Sequence, residues 1–546
     1  MSNASHKLQQ AVPQWPESAA WPVVWWLIGI AATSYPTFVS GFRLVQGGLG
    51  DTRLVNFTLE YGYRWLIGMP IAASFWSPPI FFPATGVTAY TDLLLGVAPL
   101  YWVWRWLGAE PDTAYQCWML VCWSLNYVAF YLVLRRSLAT SVLASAVGAW
   151  FFAFASPRMA GVMHQQLVIQ FFMVLALAAI IEVARFQGSD SRASRTRIWI
   201  ALFFAAGVLQ LNTAVYPLLY FAIGLSVAGA VAAFSRQGRS TIVRVVRTHP
   251  ITIAVSVALA LLAAAPAIMH YRDSATAFGG RPLPPNHLPK LASWFLMGDH
   301  NLAWGWLHDL SYLEWANRSL HHNGIGILAL VLCSVGLWRG RDRAVVRLMV
   351  AAVAVLFVIT LRLPGDWSLW EPLRHVIPGG TSARAIARVG MMLLYPAAFG
   401  LALTVDGILL RRPWWVAFFI LAPVVAEQVH RPQTYDKVEA KSRIGAIAKV
   451  VPQGTDAFLL VTTNGPQDRF AHEDAMWVAI TAGVPTINGR YGKRPGKCWQ
   501  LRDVHAANRR QAAKIRANLD RWIECRELDP ARTTWVEFQA RPPEPK

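Results

Sequence analysis

The fold class this sequence predicts is a polytopic α-helical membrane protein with a soluble α/β domain at its C-terminal end, and three observations predict it. Of 546 residues, 55% are hydrophobic and only 15% charged. Apolar runs approaching the roughly 20 residues that cross a bilayer core recur from Trp21 to His430. From Arg431 onward the pattern changes to short amphipathic and alternating stretches.

The first apolar stretch, Trp21 to Leu44, is longer than a signal-peptide core of about 7 to 15 residues and lacks a small-residue cleavage site. It reads as a retained span with an uncleaved N-terminus. Arginines then cluster between the apolar runs, at Arg135 and Arg136, Arg185 to Arg197, Arg236 to Arg247, Arg339 to Arg347, and Arg411 with Arg412. This is the positive-inside pattern, so these clusters are assigned to the cytoplasmic side. The spans then fall at 22–44, 115–134, 138–156, 165–184, 198–212, 214–234, 250–270, 323–338, 347–362, 389–408 and 413–430. About eleven crossings put the N-terminus inside and leave loops 45–114, 157–164, 271–322 and 363–388 outside, together with 431–546. One further run, Leu93 to Leu107, is short and carries Pro99 and Arg105; it reads as a re-entrant or interfacial segment. Residues 1–430 thus form a transmembrane domain. In the outer region 431–546, Val438 to Val451 and Glu473 to Ala482 have helical spacing, while Ala457 to Val461 and Thr533 to Phe538 read as strands. No repeat of fixed period is visible, which argues against transporters built from duplicated halves.

The net charge of +20 and pI near 10.1 would point to nucleic acid in a soluble protein, but here the arginines flank spans, so nucleic acid is not an expected partner. The 26 tryptophans suit interfacial belts. Cys117, Cys122 and Cys333 lie in apolar runs and read as small core residues. Cys498 and Cys525 stand alone in the polar tail, where an oxidising compartment would let them bridge; two unpaired thiols are the alternative.

Chemistry-bearing side chains gather in the outer loops. Asp51 follows Gly47-Gly48-Leu49-Gly50. It is either a helix cap, with the helix starting at Arg53, or a carboxylate that meets an acceptor hydroxyl as general base or holds a divalent metal ion. The aromatic, Pro-rich run from Phe81 ends in Thr91-Asp92, with capping as the plain reading of Asp92. Arg158, His164, Gln165 and Gln166 lie around one short outer loop, where a histidine is commonly structural and an arginine can hold an anionic headgroup. Arg384 and Arg388 are four apart and share a helix face. They either snorkel or hold a phosphate between two guanidiniums; on the outer side, positive-inside bias does not explain them. The chain has no phosphate-cradling glycine loop, HExxH, paired CxxC or GxSxG, which weighs against an ATPase, a zinc protease and a serine hydrolase.

Taken together, Gly50-Asp51, Pro79-Ile80-Phe81-Phe82-Pro83, Thr88-Ala89-Tyr90-Thr91-Asp92, Pro157-Arg158, His164-Gln165-Gln166-Leu167, and Pro378-Gly379 with Arg384 and Arg388 resemble the GT-C class of membrane glycosyltransferases, in particular a YfhO-related bacterial branch. Asp474-Ala475-Met476-Trp477 and Pro485-Thr486-Ile487-Asn488-Gly489 are similar to that branch's outer domain. The likeness covers most of the chain and is densest over 47–170. Two places depart from it: Thr91-Asp92 stands where a Ser followed by an acid is usual, and Arg490-Tyr491 where a Tyr-Ser pair follows the glycine.

The resemblance implies an inverting transferase that takes a hexosyl or pentosyl group from a polyprenyl-phosphate-linked sugar. The acceptor is a glycan, lipid or protein of the cell envelope, at the outer face of the bacterial cytoplasmic membrane. It implies Asp51 as the essential carboxylate and Asp92 as a second one. Arg384, Arg388 and Arg158 would hold the phosphate, His164 and Gln165 would orient the donor, and Trp65 or Trp76 would stack on the sugar. No cofactor is implied beyond a divalent cation that Asp51 could hold. Two other readings stay open, a non-enzymatic glycolipid or polysaccharide translocase and an assembly protein anchored by its spans.

Overall fold

The computed structural model describes residues 18–185, 190–278, 283–310 and 319–541. Helices long and apolar enough to cross a membrane are Ala20–Val39, Pro111–Leu138, Val142–Ala160, Val162–Ala184, Val215–Phe234, Pro250–Ala275 and Ile386–Arg411, seven among the described residues. An eighth is a pair, Ala344–Thr360 with Pro364–Leu373, bent by 91°. Ile327–Arg339 and Trp414–Glu427 are apolar but shorter, and Asp190–Leu211 is helical with a polar first half. Every run read as a span contains a helix, though 22–44 is helical only to Val39, 165–184 is broken after Val168 and 323–338 is helical only from Ile327, and fewer than eleven reach full spanning length and apolarity. The leftover run forms the nine-residue helix Ala98–Trp106, too short to cross at 1.5 Å per residue. It is tied down by buried Glu60, which accepts from Tyr101 Oη at 2.9 Å and Arg105 Nε at 2.7 Å.

Leu261, Leu262, Phe418 and Phe419 are all more than half exposed, as side chains facing lipid must be. The helix Val142–Phe154 is buried on every side and forms the centre of the bundle, with Phe152 stacked on Phe130 at 4.0 Å and edge-on to Tyr395. Ile327–Arg339 and Leu394–Gly407 cross where both lack a side chain. A Cβ on Gly336 would lie 1.8 Å from Gly400 O, so only glycine permits that approach. The arginine clusters gather at one end: Arg185 donates to Arg136 O and Ser137 O, and Arg343 to Leu138 O.

At the other end the chain after the first helix forms strand β1 (Leu44–Gln46), which pairs antiparallel with β2 (Thr434–Asp436) where the C-terminal region begins. That region is a small α/β unit. Its parallel sheet has the order β4-β3-β5, made of His505–Ala506, Ala457–Thr463 and Thr533–Gln539. Helices Lys437–Val450, Ala471–Ala482 and Arg509–Arg526 cover it. Cys498 and Cys525 are joined by a disulfide with Cα atoms 6.4 Å apart.

The aromatic loop of the membrane part is the seat for this unit. Phe81 and Phe82 donate their N–H groups to Asn488 O and Thr486 O, Thr486 N–H returns to Pro79 O, and Trp522 Nε1 donates to Phe82 O. Phe57, Tyr61, Ile80, Phe81 and Val87 share one apolar cluster with Ile487, Tyr491, Trp499 and Trp522. Gly489 sits against Phe81, where a Cβ would approach the ring to 2.6 Å. Charge reinforces the joint: Arg53 Nη1 meets Asp474 Oδ1 at 2.6 Å, both sealed from solvent, and Arg443 and Arg541 converge on the same carboxylate. A buried ion pair is costly unless it is fully hydrogen-bonded, and three guanidiniums on one carboxylate meet that condition on the acid's side.

Candidate active site

The helix Asp51–Leu66 begins at Asp51 itself, with Gly50 preceding it and supplying no side-chain cap. The start expected at Arg53 is thus corrected by two residues, and Asp51 is not a capping residue. Its carboxylate is 35% exposed and lies 3.2 Å, Oδ2 to Nε2, from His164. His164 ends a short 3₁₀ turn, Val162–His164, just where the chain re-enters the bundle.

His164 also lines a cavity of about 170 Å³, together with Tyr216, His287, His322, Asn323, Arg384 and Arg388. Tyr216 organises one wall: its Oη accepts the N–H groups of Arg384 and Ala385 at 2.8 and 3.1 Å, and the Arg388 guanidinium lies over its ring at 5.0 Å. Residues Ile386–Leu393 are 3₁₀ rather than α, yet both Arg384 and Arg388 reach the cavity. The C-terminal domain closes in on this wall, since a Cβ on Gly492 would lie 3.9 Å from Arg384 Nη2 and 3.0 Å from Tyr90 O.

Asp92 stands beside this group in a different capacity. Its Oδ1 accepts the Val215 N–H at 3.0 Å, so it caps the helix Val215–Phe234 from a distant part of the chain rather than the one following it. Burial pushes its carboxyl above the usual range against the opposing pull of Val215 N–H, Arg388 and Gln166.

Of the expected site residues only His164, Arg384 and Arg388 line the cavity; Asp51 adjoins it through His164, Asp92 stands beside it, and four others lie elsewhere. The side chain of Arg158 is wholly buried over the Phe152 ring, donating to Phe152 O, Val168 O and Gln170 Oε1. The helix breaks between Val168 and Phe171, and Arg158, with Asn126 bonding Val168 O and Gln170 N–H, satisfies the backbone groups freed there. Gln165 accepts from Trp123 Nε1 and donates to Val162 O, a packing role. Trp65 lies at the far end of the Asp51 helix, about 21 Å along its axis at 1.5 Å per residue, and packs on Phe75. Trp76 stacks on His270 at 3.7 Å.

The fold adds groups that carry no sequence signal, foremost an acid of the C-terminal domain. Glu473, in the first turn of Ala471–Ala482, is 1% exposed and lies where the outer domain meets Gly50: a Cβ on Gly50 would stand 3.6 Å from its Oε1. Arg490 Nη1 is 3.0 Å from that oxygen, but neither carboxyl oxygen has a hydrogen-bond partner among the described residues. Burial pushes the group up to about 7; Arg490 and Arg53 oppose this, and the charge of Asp51 adds to it. In the sequence it is one acid among several at a helix start. His287, His322 and Asn323 were likewise passed over, lying in loops without a motif.

No protein-family profile matches this chain, and no curated protein matches it in sequence. Solved structures do match in fold. The oligosaccharyltransferase of Archaeoglobus fulgidus, tethered to an acceptor peptide containing the NVT sequon, aligns with a TM-score of 0.55 at 12% identity over 92% of this chain and 68% of its own. AglB from Archaeoglobus fulgidus, in complex with an inhibitory peptide and a dolichol-phosphate, aligns with a TM-score of 0.51 at 12% identity over 86% of this chain and 64% of its own. The chain therefore spans about two thirds of the length of these proteins, 64% and 68%, and shares their fold. ArnT from Cupriavidus metallidurans aligns more loosely, with a TM-score of 0.35, and carries no argument.

Proposed function

We propose that the chain is an inverting GT-C glycosyltransferase, moving a sugar from a polyprenyl-phosphate carrier to a hydroxyl of a cell-envelope glycan, lipid or protein. The observation that carries this reading is a carboxylate held against an imidazole at the rim of a cavity lined by two guanidiniums. A carboxylate next to a docking hydroxyl is a general base, and paired arginines suit a phosphate that gains charge as a sugar leaves it. The acceptor O–H gives its proton to Asp51 while its oxygen bonds to the anomeric carbon. The carbon's bond to the phosphate oxygen breaks on the opposite face, and the phosphate keeps the electron pair against Arg384 and Arg388. His164 fixes the Asp51 carboxylate, and Asp92 orders the helix start beside the cavity.

A cation-dependent version has less support. Among the described residues no three His, Cys, Asp or Glu side chains come together as a metal site, Asp51 having His164 alone beside it, and the cavity's arginines supply positive charge without a cation. For topology, the seven long helices, the bent pair, the two shorter apolar helices and Asp190–Leu211 supply eleven crossings. With the arginine-rich end in the cytoplasm, the cavity and residues 431–541 lie outside. The likeness to the YfhO-related branch rests on the motifs alone.

The test is sugar transfer by the purified protein in lipid nanodiscs. It uses a panel of radiolabelled polyprenyl-phosphate sugars and an envelope extract as acceptor, with Asp51→Asn in parallel. Transfer by the wild type and none by the variant supports the reading; equal transfer by both, or none by either across the panel, removes it.

A further inference from the structure

The outer domain brings a carboxyl of its own to the start of the helix that carries Asp51. The first turn of any helix leaves unpaired N–H groups and a partial positive charge, and Gly50 has no side chain to answer them. Glu473 approaches that turn so closely that a side chain at position 50 would touch it and the Phe470 ring, the latter at 3.4 Å. The next residue, Asp474, grips Arg53 in the same turn, and Trp477 Nε1 donates to Arg53 O at 3.2 Å, so the two helices cannot slide without breaking buried bonds. The charged groups acting on Glu473 are Arg490 from the loop after Gly489 and Asp51 and Arg53 from the membrane part; on its own helix Asp474 follows it, and His472 before it is held neutral near pH 7, burial lowering it to about 4.

We propose that Glu473 is a positioning residue for Asp51: through this carboxyl the docked outer domain sets the geometry and charge of the turn from which Asp51 works. The inference rests on reading Asp51 as the base. With both carboxyls ionised the joint holds two like charges that Arg490 only partly offsets, whereas a protonated Glu473 holds one. Since its proton is lost near neutrality, the setting of Asp51 changes there too.

The experiment compares wild type, Glu473→Gln, Glu473→Ala and Asp51→Asn, each as full chain in nanodiscs. The wild-type kcat shows a step near neutral pH that is absent in Glu473→Gln, which keeps the volume and removes the titration. Glu473→Ala lowers kcat about tenfold or more through misplacement of Asp51, with the KM for the lipid donor unchanged. Amide exchange of residues 51–54, measured without substrate, is faster in Glu473→Ala. A kcat step that survives in Glu473→Gln, or wild-type kcat and exchange in Glu473→Ala, overturns the proposal. If the wild type transfers nothing, the function reading has failed, and the exchange measurement still decides whether Glu473 orders the Asp51 turn.

Discussion

His164 Nε2 stands 3.2 Å from Asp51 Oδ2, which joins the helix Asp51–Leu66 to the loop between two later spans at the edge of the arginine-lined cavity. A carboxylate so placed has one orientation fixed and one oxygen available. Asp51→Asn keeps the shape and removes the base, so transfer falls by roughly 10² to 10⁴, the usual weight of a general base. Expression and the melting temperature stay as in the wild type. His164→Ala frees the carboxylate and lowers kcat by a smaller factor. A rate assay on both variants checks the order, and an Asp51→Asn enzyme within a few-fold of wild type would sink the assignment.

Arg384 and Arg388 have distinct settings on the same wall. Arg388 is braced over the Tyr216 ring, whereas the Arg384 side chain is exposed and faces the outer domain near Gly492. Arg388→Gln is therefore expected to cost more, by about 10² in kcat/KM for the lipid donor, comparable to removing one preorganised donor from a developing charge. Arg388→Lys restores little, since an ammonium neither stacks on Tyr216 nor forks onto two oxygens. Donor titrations with the two single variants test this, and equal activity in Arg388→Lys and wild type would contradict it.

The joint between the two parts predicts how the protein responds to acid. Burial pushes Asp474 up, but Arg53, Arg541 and Arg443 outweigh it and hold the carboxyl below the usual range. A depressed carboxyl contributes stability that is fully present above its unfolded value, about 3.9, and is lost as pH falls through the folded one. Thermal stability is thus expected to fall steeply below about pH 4. Asp474→Asn removes that acid-sensitive part and destabilises at neutral pH by about 3 to 5 kcal/mol, because the buried Arg53 and largely buried Arg541 lose their carboxylate and Arg443 keeps only that of Asp468. Melting curves between pH 3 and 7 on both proteins decide it, and an unaltered neutral-pH melting point in Asp474→Asn would count against the joint.

What was readable from sequence follows from which physics is local. Apolar runs and the strand at Ala457 report themselves through periodicity, and Asp51, His164, Arg384 and Arg388 through being polar where lipid is near. Arg158 shows the limit of that logic. An arginine beside a span can serve a ligand or repair a broken helix, and only the position of Val168 and Gln170 relative to it tells which. Glu473 shows the opposite limit. A helix-starting acid is ordinary until the fold lays it against Gly50, a contact between distant segments that no spacing rule carries. Span lengths failed for a related reason: a bundle with buried polar partners tolerates short, bent and interrupted helices such as Ala344–Thr360, which hydropathy alone draws as straight crossings.

The disulfide Cys498–Cys525 tests sidedness and stability together. It links the segment after Tyr491, close to the cavity wall, with the helix Arg509–Arg526 that donates Trp522 to the aromatic loop, so it braces the part of the outer domain that seats on the membrane domain. Closing a chain segment of 27 residues stabilises the folded state by about 3 kcal/mol in the chain-entropy view. Cys498→Ser with Cys525→Ser is expected to lower the melting point of the outer domain and to speed proteolysis between residues 490 and 530, while the membrane helices stay intact. Such a bond persists only in an oxidising compartment. In intact cells producing the protein in a bacterial cytoplasmic membrane, a thiol reagent applied after denaturation should therefore label Cys117, Cys122 and Cys333, and label the other pair only after reduction. Labelling of Cys498 and Cys525 without reduction would place residues 431–541 on the reducing side and turn the proposed orientation over.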